Sequence, residues 1–175
     1  MGSELDDMLD SFKIRKVLER YCRGIDRRDI PLVNSVYWPE AVDDHGVWKG
    51  PGQEFGAFII PLIAQLFVAT LHTIQQSNIS INGNRAAADT YCTAIHRIGR
   101  DDAVASEVAY CRYADLFEKR GSEWRIIERT VLMEHFQRFP VTEPTTNSID
   151  QFRRGLANSS DLSYECYEKA NAPLV

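Results

Sequence analysis

Four long runs of strand-forming residues, each cut off by a turn, fill the second half of the chain and limit what it can fold into. The first run, 73–81, ends at Asn82-Gly83-Asn84, and the second, 85–97, at Gly99-Arg100-Asp101-Asp102. The third, 104–118, ends at Lys119-Arg120-Gly121-Ser122, and the fourth covers 124–136. Glycine beside Asn, Asp or Ser between apolar runs is hairpin punctuation, so antiparallel pairing is expected. Runs of about 13 residues exceed the usual 5 or 6. Strands that long twist and curl their sheet, and a curled sheet has a concave face that other elements must cover.

The first half supplies the cover. Ile14, Val17, Leu18, Tyr21, Cys22 and Ile25 recur at helical spacing, which predicts a helix over 7–27 with one apolar face. Asp29-Ile30-Pro31 reads as an N-cap and first-turn proline opening a short helix over 31–37, stopped by Trp38-Pro39-Glu40. Residues 41–48 read as a strand or tight hairpin, and Gly50-Pro51-Gly52 as a turn. A very apolar helix over 53–69 follows, expected to be covered on most sides, with Pro61 as a kink. The class is therefore α+β. After Pro140 the chain turns polar: a linker over 142–147, then one or two short helices within 148–170. The expectation is one body over 1–140 and a C-terminal extension, 141–175, lying across a pocket mouth or a subunit contact.

A chain of 175 residues closes one core. Its net charge of −5 and lack of Lys/Arg clusters argue against a nucleic-acid partner. No run approaches a membrane span, and the acidic start, Met1 to Asp7, has no apolar signal core; a cytoplasmic protein is expected. Cys22, Cys92, Cys111 and Cys166 form no CxxC and read as reduced core thiols. HExxH, GxSxG, Walker and GxGxxG motifs are missing. Asp43, Asp44 and His45 are too tightly adjacent to converge on a metal from a strand. No metal and no cofactor are expected.

Asp26 closes the first helix at the end where the dipole disfavours a carboxylate; the plain alternative is a solvated charge. His72 lies in the apolar stretch Ala69-Thr70-Leu71-His72-Thr73-Ile74 between the third helix and the first strand. Such a histidine either bonds a backbone carbonyl or serves as a general base. A carboxylate on one ring nitrogen would fix its tautomer. His96 and His135 lie in strands, either one free to face pocket or solvent. Tyr91, Tyr110, Arg112, Tyr113, Arg129 and Arg138 are the other polar-tipped candidates. Strand alternation separates Tyr110 and Arg112 from Tyr113, with either parity open to the concave face.

The chain resembles the SnoaL-like family of the nuclear-transport-factor-2-like superfamily over 6–139. The resemblance rests on the segment from Ile14 to Asp29, on Leu71-His72-Thr73-Ile74, on the segment from Arg112 to Lys119 and on the segment from Trp124 to Val131. It implies a cone-shaped half-barrel, with a strongly curved, mostly antiparallel mixed sheet of about six strands around three helices, and a homodimer or homotrimer. Its dehydrochlorinase and dehydratase members carry a histidine at the position of His72 and an aspartate at that of Asp26. A dehydratase tyrosine matches Tyr21, and a dehydratase site arginine matches the segment ending at Arg138; the dehydrochlorinase arginine falls where this chain has Glu134. By resemblance the catalytic candidates are Asp26, His72 and Tyr21, with Arg138 as a substrate contact; Arg129, Tyr110 and Arg112 are added as substrate contacts from their place in the long strands. The implied activity is a cofactor-independent lyase, or a related isomerase, on an apolar cyclic molecule. The alternative is a non-catalytic binding or accessory subunit, as in ring-hydroxylating dioxygenases.

Overall fold

The computed structural model describes residues 4–100, 103–141 and 151–173. Helix α1 (Glu4–Asp26) buries Ile14, Val17, Leu18, Tyr21, Cys22 and Ile25, the 3,4-spaced stripe of a core-facing helix. Helix α2 (Ile30–Asn34) is capped by Asp29, whose side chain accepts from the Leu32 N–H. Gly24 lets the two helices touch: a Cβ there would lie 2.8 Å from Val33 Cγ2 and 2.9 Å from Val33 N.

Strand β1 (Tyr37–Asp44) begins where a helix over 31–37 was expected, and it contains Pro39. The proline is tolerated because β1 pairs with its parallel neighbour at Tyr37 and again from Val42, with a register shift between, so no ladder donor is needed at Pro39. The expected turn at Gly50-Pro51-Gly52 is instead strand β2 (Lys49–Pro51) running straight into helix α3 (Gly52–Leu66). Helix α3 buries only Gly52, Phe55, Gly56, Ile60 and Ile63, and leaves Phe58 and Leu66 exposed. The expectation of cover on most sides therefore fails; one face meets the body and the other is open.

Strands β3 (Ala69–Asn82), β4 (Arg85–Arg100), β5 (Ala103–Arg120) and β6 (Glu123–Pro140) complete a mixed six-stranded sheet in the order β2-β1-β6-β5-β4-β3. Only the β1–β6 pair is parallel. Register shifts at Ile74/Ser77, Tyr110/Cys111 and Leu116/Phe117 add bulges, which sharpen curvature. Gly83 (φ 60°) and Gly121 (φ 63°) supply the left-handed turn positions of the outer hairpins. The sheet is curved and open, with the helices on its concave side. Its core centres on Ile14, Leu18, Val33, Phe55, Phe117 and Ile126.

Residues 142–150, including the expected linker, lie outside the described residues. Beyond them, helix α4 (Leu162–Lys169) is the short helix of the C-terminal segment. Its Cys166 is exposed, unlike the three buried cysteines, and all four are free. Among the described residues no helix is long and apolar enough to cross a membrane.

Candidate functional site

Two elements that end and begin beside each other build the site. Asp26 is the last residue of α1, and His72 is the fourth of β3, inside the strand rather than ahead of it. Asp26 is not a solvated charge: it is 6% exposed. One carboxylate oxygen accepts the His72 backbone N–H at 2.9 Å, and the other lies 2.7 Å from His72 Nδ1. An ionised carboxylate only accepts, so Nδ1 carries the proton and Nε2 presents a lone pair. Among the described residues Nε2 has no hydrogen-bond partner. Burial disfavours the imidazolium, but the hydrogen bond and charge of Asp26 outweigh it, and the ring sits above its usual pKa.

Cross-strand pairing places Thr70 with His96, His72 with Ala94, and Ile74 with Cys92 on one face. That concave row continues onto β5 through Glu107, Ala109 and Cys111. The rings of His72 and His96 meet edge to face with centroids 5.6 Å apart, and Phe67 stacks on His96 at 4.7 Å. Burial and the neighbouring His72 charge push His96 down to about 4. A cavity of about 420 Å³ opens beside the pair. Its walls include Cys22, Arg23, Asp26 and Arg27 of α1, His72 of β3, and Asp161 ahead of α4.

The other sequence candidates are dispersed. Tyr21 belongs to a separate buried network: its hydroxyl lies 2.9 Å from His45 Nε2, while His45 Nδ1 bonds Asp43, which also accepts from the Tyr37 hydroxyl. His45 turns inward and shares a face with Asp43, two residues before it. Burial, countered by Asp43, holds the His45 pKa below its usual value. Two His–Asp pairs thus behave oppositely. The Nε2 of His45 is occupied by Tyr21, whereas that of His72 is not.

Arg129 is fully buried, forms two 2.7 Å bonds to Asp115, and lies between the rings of Tyr21 and Tyr113, 4.3 Å from each centroid. It is held in the interior by Asp115 and the two rings, with its Nη1 buried and without a hydrogen-bond partner among the described residues. Tyr110 and Arg112 stand on the convex face, opposite His72. Tyr110 stacks against His135 at 6.0 Å, and Arg112 joins Asp89 at 2.9 Å and Glu134 at 2.7 Å. Arg138 pairs with Glu107 at 3.5 Å and is more than half exposed near the end of β6. Asp44 bonds the Gly46 N–H and Lys49. Among the described residues no group of three His, Cys, Asp or Glu side chains is placed to hold a metal.

The model of the SnoaL-like domain family matches residues 6–130. No curated protein matches the chain significantly. Among solved structures, the fold is similar to a hexachlorocyclohexane dehydrochlorinase from Novosphingobium barchaimii, with TM-score 0.70 and 15% identity over 81% of this chain and 100% of that one. It is similar also to a candidate scytalone dehydratase from Novosphingobium aromaticivorans (TM-score 0.68, 15% identity, 78% and 91% covered). A candidate aromatic ring hydroxylase from the same organism gives TM-score 0.66 and 16% identity, with 79% and 96% covered. Identities this low speak for the fold and not for the chemistry.

Proposed function

The chain belongs to the SnoaL-like domain family, and from that premise we propose that it is a cofactor-independent lyase of the dehydratase type, acting on a small, mainly apolar cyclic molecule. One observation carries the reading. A buried carboxylate holds His72 through both its ring Nδ1–H and its backbone N–H, Nε2 has no hydrogen-bond partner among the described residues, and both residues line one cavity. His72 Nε2 takes a proton from a carbon next to an electron-withdrawing group. The C–H electron pair becomes the new C=C bond, and the leaving group departs from the adjacent carbon with its own electron pair. A departing hydroxide is protonated to water by the imidazolium, which returns His72 to its starting form. Asp26 stabilises that imidazolium between the two steps. An isomerase would share the first step and return the proton to a different carbon. Ile74, which lines the same cavity, suits an apolar ring. The work is assigned to a homo-oligomer in the cytoplasm.

The test is a panel of cyclic β-hydroxy ketones, followed by enone absorbance and by exchange of the α-proton in deuterated water. Elimination is expected from at least one member of the panel. His72→Ala or Asp26→Asn is expected to lower turnover by about a hundredfold or more, with an unchanged circular dichroism spectrum. Binding without elimination or exchange would favour the accessory-subunit reading.

A further inference from the structure

The cavity beside His72 has one wall drawn from a single stripe of α1. Arg15, Glu19, Cys22, Arg23, Asp26 and Arg27 recur at spacings of three, four and one, so they share a helix face. Three guanidinium groups therefore line the space that Asp26 and His72 also line. Each carboxylate there has a partner. Glu19 takes Lys16 at 2.9 Å and Arg15 at 3.4 Å. Asp26 takes His72. Asp161, from the far end of the chain, takes Arg27 at 3.0 Å and the backbone N–H groups of Leu156 and Ser163.

Arg23 is the cation left over. Its guanidinium lies 4.8 Å and 4.9 Å from the ring centroids of Tyr164 and Tyr167 and donates to Ser163 Oγ at 3.1 Å. Among the described residues it meets no carboxylate, and its Nε is buried without a hydrogen-bond partner. The plain account is that Arg23 only fastens α4 through its two tyrosines. That account explains the rings but leaves Arg23, among the described residues, as a cation without a carboxylate on a cavity wall, one helical step from Asp26. An anion entering the cavity would supply the counter-charge that Arg23 lacks.

We infer that Arg23 and Arg27 form a carboxylate-binding subsite of this pocket, and that Asp161 occupies part of it when no ligand is bound. The inference rests on the proposed reaction at His72 and narrows its substrate class: a cyclic molecule bearing a carboxylate, whose ring lies towards His72 and whose charge lies towards Arg23. Guanidinium groups favour this ligand because their N–H fork matches the two carboxylate oxygens. Asp161 bonds one side of that fork now. A ligand carboxylate would complete Arg23 and compete with Asp161 for Arg27.

Calorimetric titration of the full chain with cyclohex-1-ene carboxylate and with its uncharged amide tests this without requiring turnover. The carboxylate is expected to bind about tenfold or more tighter than the amide, the size of a charge-assisted hydrogen bond. Arg23→Gln and Arg27→Gln should each remove most of that preference, while Arg23→Lys should keep part of it. Asp161→Asn is decisive. Asparagine still caps α4 but removes the internal competitor, so carboxylate binding should tighten severalfold; a purely structural Asp161 would give weaker binding of both compounds. His72→Gln should retain the preference, so a failed elimination assay alongside an intact preference would discard the lyase reading and keep the subsite. Equal affinity of acid and amide, no binding of either, or loss of both ligands together in Asp161→Asn would overturn the inference.

Discussion

At the scale of residues, the contrast between His72 and His45 sets the chemistry. Both rings lean on an aspartate, yet burial wins at His45 and the carboxylate wins at His72. A base whose pKa is raised works only once it has lost its proton. The pH profile of kcat/KM should therefore rise through a value above about 6.5. Asp26→Asn should move that limb to lower pH, because burial then acts without its counterweight. Stability should run the other way: the Asp26–His72⁺ contribution is full below the unfolded histidine's pKa and fades as pH climbs through the raised folded value. Thermal melts of the parent and His72→Gln across that window would check it, and a difference that grew with pH would contradict the assignment. Position alone left Asp26 open as a solvated charge and His72 as a ring bonding a backbone carbonyl; the Asp26–His72 relation was legible through the family resemblance. The position of Tyr21 was not, because its partner His45 comes from a short turn whose path depends on how β2 pairs back onto β1.

At the scale of elements, strand parity decided which candidates could meet. Alternation alone separates Tyr110 and Arg112 from Tyr113, but nothing in the residues says which set faces in. The pairing of Cys111 with Cys92, and of His72 with Ala94, settles it by placing the odd positions of β5 on the concave side. The bulge between Tyr110 and Cys111 lies in the facing strand β6, so no local pattern in β5 betrays it. Proline misled in the same way: Pro39 reads as a breaker until the missing rungs of β1 are seen. Helix contact offers a sharper test. Gly24→Ala would push a Cβ into Val33 at 2.8 Å from a side-chain carbon and 2.9 Å from a backbone nitrogen. The backbone cannot yield as a side chain can, so a loss of about 1–3 kcal/mol is expected in urea unfolding. Since α1 also carries Asp26, turnover should fall together with stability.

At the scale of the whole molecule, every buried core residue among the described residues lies at or before Ile126, ahead of the C-terminal segment. The long strands and the helical stripe that build this core were visible in the sequence, because periodicity and glycine punctuation are local. That the extension lies at a pocket mouth or a subunit contact was expected; which of its residues meet α1 was not legible, because those contacts are polar and join distant positions. Truncation after Pro140 should leave a cooperatively melting body with a melting temperature within a few degrees of the parent. It should also remove Asp161 and both tyrosines from Arg23, opening the cavity and speeding ligand release, which stopped-flow fluorescence would register. A truncated chain that fails to fold would mean the segment contributes to the body itself.

The wall formed by Asp161 and Ser163 also has a place in time. Arg23 and Ser163 are 140 positions apart, and Arg27 and Asp161 are 134 apart. During synthesis, at about 5–20 residues per second, the acid–base pair can assemble once β3 and its neighbours emerge. Its guanidinium wall stays open until the ribosome has released the segment that carries α4. Between those moments the nascent protein holds the Asp26–His72 pair in a cavity without its closing side. On the subsite inferred above, a ligand carboxylate present then would meet Arg27 before Asp161 does.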